Sequence, residues 1–219
     1  MHKLNPMRRA VLIAACAPLL LTAWTPALAD PASSGSALAQ LQRFVAETRS
    51  ARGEFTQRTL RSGSLPAESA SGAFAFSRPG RFRWEVRKPF EQLMVADGER
   101  LWFLDKDLNL VTERRLADSL GSSPAAILFG SNELERSFTL KEGGERDGLA
   151  WLDALPKEKD AGFESIAIGF RGGLPEAMEV RDAFGRTTRF AFSAIERNPG
   201  LDPATFRFVA PQGADVIRQ

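Results

Sequence analysis

Few residues in this sequence have the types and spacing that chemistry needs. Asp105 and Asp107 flank Lys106, and two carboxylates at that interval could share a proton or a cation. The same Asp-Lys-Asp triplet also reads as the solvated tip of a hairpin, where aspartates close turns on their own backbone. Glu133 and Glu135 are spaced likewise and read as surface charges. The single Cys, Cys16, and the single His, His2, both fall in the first 29 residues. If that segment is removed, no thiolate or imidazole remains as nucleophile, base or metal ligand. No GxSxG, P-loop or GxGxxG pattern occurs. Accordingly no catalytic, metal-binding or cofactor-binding residue is assigned, and no enzyme and no cofactor are expected.

The first residues read as a leader. Lys3, Arg8 and Arg9 form a basic start, Ala10 to Trp24 is mostly apolar, and Ala27-Leu28-Ala29 offers a small-x-small cleavage site before Asp30. Residues 1–29 are therefore predicted to be a secretory signal peptide and residues 30–219 a single exported domain. A second reading takes Ile13-Ala14-Ala15-Cys16 as a lipobox that would make Cys16 a lipidated N-terminus. The apolar run before Cys16 is short and the segment after it stays apolar, which favours cleavage after Ala29. Cleavage removes three of the 29 Lys and Arg and none of the 27 Asp and Glu. The remaining chain is thus close to neutral, and the basic character of the precursor says nothing about nucleic acid.

The elements follow from periodicity. Between Ser36 and Ser50, Leu38, Leu41, Phe44, Val45 and Thr48 share one helical face, with Ser36 as N-cap. From Gly53 onward the pattern becomes strand-like. "GEFTQRTL" is one strand and "GAFAFSRP" a second, with Phe74 and Phe76 alternating with alanines. In "RFRWEVR" Phe82, Trp84 and Val86 alternate with charged residues, a period of two with one apolar and one charged face. Asp97-Gly98 is a hairpin turn of the favoured kind, and Lys106-Asp107 turns the chain again. "SSPAAILFG" predicts a short apolar helix with Pro124 at its first position. Strands then resume around 138–140, 150–155, 165–170, 177–180 and 187–192, separated by Gly143-Gly144, Asp147-Gly148, Gly172-Gly173 and Gly185. One short strand is expected at the end. Many turn-separated strands with helices at the start and middle predict a mainly β fold: a strongly curved antiparallel sheet with helices on one side.

Sixteen Phe and no Tyr mean rings that need no polar partner. Arg81, Arg83 and Arg87 beside Phe82 and Trp84 superficially suggest nucleic acid, but alternation sends the arginines and the rings to opposite faces. The rings either fill a core or line a space for something apolar.

The stretch "GAFAFSRPGRFRWEVRKPFEQLMVADGERLWFLDKDLNLV" resembles the periplasmic outer-membrane lipoprotein carriers, the LolA family. It combines a strand ending in Arg-Pro, then Phe-x-Trp-Glu, a Pro, and Asp-Gly-x-x-Leu-Trp-x-x-Asp. "GEFTQ", "GSSPAAILFG" and "FRFVAPQGADVI" resemble further family segments. The resemblance implies an incomplete β-barrel covered by a helical lid and enclosing an apolar cavity. It implies a periplasmic, monomeric carrier that receives lipoproteins from a LolCDE-like inner-membrane transporter and hands them to a LolB-like outer-membrane receptor. By that resemblance, Phe74, Phe76, Phe82, Trp84 and Val86 line the acyl cavity, together with Leu93, Val95 and Trp102. Leu38, Leu41 and Phe44 on the first helix, with Ile127 and Leu128 on the second, form the apolar face of the lid. Phe82 is placed at the cavity mouth, and Arg78 latches the lid by donating to backbone carbonyls. The alternative is a LolB-like lipid-anchored receptor of the same fold, which a lipidated Cys16 would favour. Which face of each strand lines the cavity stays open.

Overall fold

Helix α1 (Ala37–Glu47) is the first described element, capped as expected by Ser36, whose hydroxyl accepts from the Ala39 N–H at 3.2 Å. The computed structural model describes residues 35–60, 68–117, 134–158 and 162–219, all within the unit Ser34–Gln219. The expected signal peptide and the segment with Pro124, Ile127 and Leu128 lie outside the described residues. After α1 come β1 (Ser50–Leu60), β2 (Glu68–Ser77), β3 (Arg81–Lys88), β4 (Gln92–Asp97), β5 (Arg100–Asp105) and β6 (Leu110–Arg115). A four-residue helix α2 (Leu134–Ser137) leads into β7 (Phe138–Arg146), β8 (Leu149–Pro156), β9 (Phe163–Arg171), β10 (Leu174–Asp182) and β11 (Thr187–Arg197). A 3-10 turn (Pro203–Phe206) precedes β12 (Asp215–Arg218).

All the strands belong to one sheet in the order β12-β6-β5-β4-β3-β2-β1-β11-β10-β9-β8-β7. β12 and β7 are its two edges, so the curved sheet does not close. This is the incomplete barrel expected from the sequence. Two details depart from the expectation. β12 pairs in parallel with β6, because the chain reaches that edge from β11 by a long crossover instead of a hairpin. Gly143 and Gly144 do not separate strands. They sit inside β7 at a register shift against β8, a bulge that lets the edge strand continue to Arg146.

One face of the sheet is the core. Opposite residues in an antiparallel pair share a face, so the register assigns it. Ala51 faces Phe76, Phe76 faces Phe82, and Phe82 faces Ala96; all four are at most 2% exposed. Ile168 links β9 to Met178 on β10 and Leu152 on β8. Leu41 and Phe44 of α1 press onto this inner face and are themselves 2% exposed. Burying a side chain of this size is worth about 1.5–3 kcal/mol.

Two glycines let rings cross neighbouring strands. A Cβ at Gly53 would lie 2.8 Å from the Phe74 ring, and one at Gly72 would lie 1.8 Å from the Glu85 carbonyl oxygen and 2.9 Å from Phe55 Cζ. Gly72 also sits at the register shift between β2 and β3, where the backbones approach most closely. Gly72→Ala is therefore expected to cost about 3 kcal/mol or more, since backbone must move to admit the methyl group. Urea unfolding followed by tryptophan fluorescence measures this; a midpoint near that of the unchanged chain would show that the close approach is absent.

Candidate functional site: the apolar inner face and the ends of helix α1

The inner face carries a continuous aromatic cluster. Phe55 reaches over Gly72 to stack on Trp84, with ring centroids 3.9 Å apart and 24° between planes. Trp84 meets Phe74 at 6.1 Å, Phe190 at 5.8 Å and Phe192 at 6.4 Å. Phe74 reaches over Gly53 to Phe192 at 5.7 Å. Offset and edge-on ring pairs of this kind add about 0.5–1.5 kcal/mol each beyond burial. Against α1 itself lies a cavity of about 290 Å³ lined by Leu38, Leu41, Val45, Leu134 and Leu140. On the rest of the face Trp84, Val86, Met94, Phe190 and Val180 are only partly buried while packed against the core. These five side chains are apolar, a surface suited to hydrocarbon.

α1 is held at both ends by groups far away in sequence. The Glu142 carboxylate on β7 accepts from the Ala37 and Leu38 N–H groups, both at 3.0 Å, which satisfies two orphan donors at the helix start. Buried Gln40 donates to Gly35 and accepts from the Gly173 N–H at 2.9 Å, tying the helix to the β9–β10 turn. At the other end Asn198 Nδ2 donates to the Glu47 carbonyl at 2.9 Å, and Asn198 Oδ1 accepts from the Arg49 N–H at 2.7 Å. Arg78 Nε donates to the Thr48 carbonyl, the C-cap of α1, at 3.0 Å. The Arg78 guanidinium also lies over the Phe76 ring at 4.9 Å and the Phe44 ring at 5.9 Å. Burial of the charge lowers its pKa from the usual guanidinium value to about 10. A lowered pKa on a cation means that burial opposes the charged form, and that cost is fully present below pH 10. Arg78 is still protonated at neutral pH.

The structure sorts the residues expected in the cavity. Phe74, Phe76, Phe82, Trp84 and Val86 share the inner face, and Leu38, Leu41 and Phe44 face it from α1. Leu93, Val95 and Trp102 do not. Trp84 is opposite Met94, whereas Val95 is opposite Arg83 and Trp102, and Leu93 is opposite Glu85. The side-chain period of two puts these three on the outer face. They are apolar there because the C-terminal segment covers them: Phe208 stacks on Trp102 at 5.5 Å, and the 3-10 turn packs on β3 and β4. Phe82 is on the inner face but not at a mouth, being 2% exposed in the core. Asp105 caps its turn by accepting from the Leu108 N–H at 3.1 Å, as a hairpin tip does. Among the described residues, no group of three His, Cys, Asp or Glu could hold a metal ion, and no helix is long and apolar enough to cross a membrane.

A groove of about 690 Å³ lies across β1, β2, β10 and β11. Arg189 and Glu179 on its wall are ion-paired at 2.9 Å, and Glu179 also pairs with Arg146 at 3.3 Å. That charged wall suits it poorly to hydrocarbon, so the inner face remains the candidate site.

Residues 46–209 match the family described as outer membrane lipoprotein carrier protein LolA. That span is most of the chain. The chain belongs to the LolA family. It is similar to the outer-membrane lipoprotein carrier protein of Cupriavidus pinatubonensis, 54% identical over 97% of this chain and 100% of the relative. It is 50% identical to the protein of the same name from Dechloromonas aromatica, over 90% of this chain and 95% of the relative. Among solved structures, an uncharacterized conserved protein from Thermus thermophilus superposes with a TM-score of 0.51 at 14% identity, covering 83% of this chain and 96% of that one. At that identity it speaks for the fold alone.

In this LolA chain the long diagnostic stretch builds β2 through β6, and "GEFTQ" is the middle of β1. Several inner-face residues were not singled out from sequence. Phe190 and Phe192 alternate in "TTRFAFS", the signal already used for Phe82 and Trp84. Phe55 lay in a quoted motif without a role. Glu142, Gln40 and Asn198 carry no local signal, since the backbone groups they bond across the fold lie 104 to 151 residues away.

Proposed function

We propose that this protein is a periplasmic carrier that shields the acyl chains of lipoproteins between the inner face of its sheet and α1. It takes them from a LolCDE-like transporter in the inner membrane and passes them to a LolB-like receptor at the outer membrane. The observation that carries the reading is the aromatic inner face with its partly buried Trp84 and Phe190, in a chain whose relatives are named lipoprotein carriers. Each CH₂ kept from water is worth about 0.8 kcal/mol, so an acylated protein does not cross an aqueous space unaided. Moving the same chain from bilayer to apolar pocket is close to neutral. Loading then requires an energised donor and release a better acceptor, and the carrier itself does no bond chemistry.

Trp84 is the position that tests the site. It is partly exposed and central to the ring cluster, so Trp84→Gln is expected to fold while weakening acyl binding about tenfold or more, from the lost apolar contact. The check is titration of a fluorescent fatty-acyl probe, followed by incubation with energised inner-membrane vesicles and isolation of a soluble one-to-one lipoprotein complex. Unchanged probe affinity in the folded variant removes the inner face from the acyl route.

A further inference from the structure

Seven large apolar side chains are prominently exposed among the described residues. Four of them share one rim of the sheet. Phe90 is 66% exposed in the β3–β4 turn, Leu108 is 69% exposed in the β5–β6 turn, and Phe184 is 84% exposed in the β10–β11 turn. Leu60, 42% exposed, ends β1 opposite Thr187, the start of β11. In an antiparallel meander the odd-numbered turns fall at one end, and the β1–β11 register brings the β10–β11 turn to that same end. This is the end away from the junction of α1 with β1. Partly buried Val86 and Val180 bring the inner face to this same end.

We propose that this rim is a bilayer-contacting edge, through which the carrier touches the surface of a membrane at the mouth of its apolar face. The proposal rests on the carrier reading above. Three features favour a bilayer over a protein partner. The tips are single side chains spread along the rim, with about 4.8 Å between successive strands, and do not form one patch with a packed centre. They sit on separate turns at the same end, so a plane can meet them all without a complementary shape. They are Phe and Leu, side chains that an interface accepts without a hydrogen-bond partner. Most charges around them are paired with one another, and the exposed Lys88 and Asp107 beside the tips are opposite in sign. Lys106 pairs with Glu91, Arg186 pairs with Asp182, and Asp105 is occupied by the Leu108 N–H and by Gln92. Contact would therefore be apolar, weak and reversible, and nearly indifferent to anionic lipid.

The experiment is flotation of the purified protein with phosphatidylcholine vesicles, with and without phosphatidylglycerol, across a range of salt. It compares the unchanged chain with a variant carrying Phe90→Ser, Leu108→Ser and Phe184→Ser. The substituted residues are exposed, and circular dichroism checks the fold. The expected result is partitioning of the unchanged chain onto neutral vesicles, at least tenfold weaker in the triple variant and changed less than twofold by anionic lipid or salt. The fluorescent-acyl titration, run without vesicles, is expected to be the same for both proteins. Absence of flotation at any accessible lipid concentration overturns the proposal. So does equal flotation of the variant, or binding seen only with anionic lipid at low salt. If the variant loses transfer to a soluble acceptor protein with no bilayer present, the rim docks a protein and the membrane proposal is wrong. Failure of acyl binding in the unchanged chain would instead sink the carrier reading and leave the flotation result standing by itself.

Discussion

Phe82→Glu is expected to destabilise the fold by about 5 kcal/mol or more, enough to leave little folded protein at neutral pH. Phe82 is 2% exposed, opposite Phe76 on one side and Ala96 on the other. Removing a buried Phe side chain costs about 3–5 kcal/mol by itself, and the incoming carboxylate meets the Phe76 ring and the Ala96 methyl group on the flanking strands. A typical domain has about 5–15 kcal/mol to lose. A mouth position, as the family resemblance implied, would tolerate the charge and lose only transport. pH distinguishes the two cases. A glutamate carboxyl buried at position 82 would have its folded-state pKa raised by desolvation above the unfolded value of about 4.3. The penalty would then grow as pH rises above that value and shrink as pH falls through the folded pKa, so the variant should regain stability under mild acid. Urea unfolding at neutral pH and at about pH 5, with Phe82→Leu as the volume control, measures both the size and the slope. A variant as stable as the parent at neutral pH would place Phe82 at a wet surface.

Arg78→Leu is expected to separate stability from transport. The substitution removes the charged donor that holds the Thr48 carbonyl, a bond worth roughly 1.5–3 kcal/mol. It also removes a guanidinium whose burial is unfavourable, as its lowered pKa records. Leucine can occupy the space between the Phe44 and Phe76 rings. These changes offset, so the unfolding midpoint should move little. The end of α1, by contrast, loses a latch. If opening of the carrier requires that bond to break, its loss shifts the open–closed balance by about tenfold or more. An open-biased carrier still loads, holds acyl chains more tightly and releases them poorly. Two steps are measured: lipoprotein released from energised inner-membrane vesicles into the soluble complex, then transfer from that complex to outer membranes. Normal transfer in the second step would reduce Arg78 to a packing residue of the α1–β1 corner.

Local pattern was enough for α1 and for most of the strands among the described residues. The two-residue alternation in "RFRWEVR" and "GAFAFS", the Ser36 cap and the Asp97-Gly98 turn each follow from a few neighbouring residues, and each is where it was expected. Arg78 was legible because an Arg-Pro at the end of a strand stands out within a family pattern. The period of two says that a strand has two faces and does not say which is inside. For β3 the charged residues decide it. For β4 and β5 they do not, because "QLMVAD" and "RLWFLD" are apolar on both faces. There the tertiary structure decided: the face of Met94 packs against the common core, and the returning C-terminal segment covers the face of Val95 and Trp102. The same reason applies to the ends of α1. A helix shows its unpaired N–H and C=O groups in its own sequence, but the carboxylate, amide and guanidinium that satisfy them come from β7, from the end of β11 and from the β2–β3 corner, and only the folded chain brings them there.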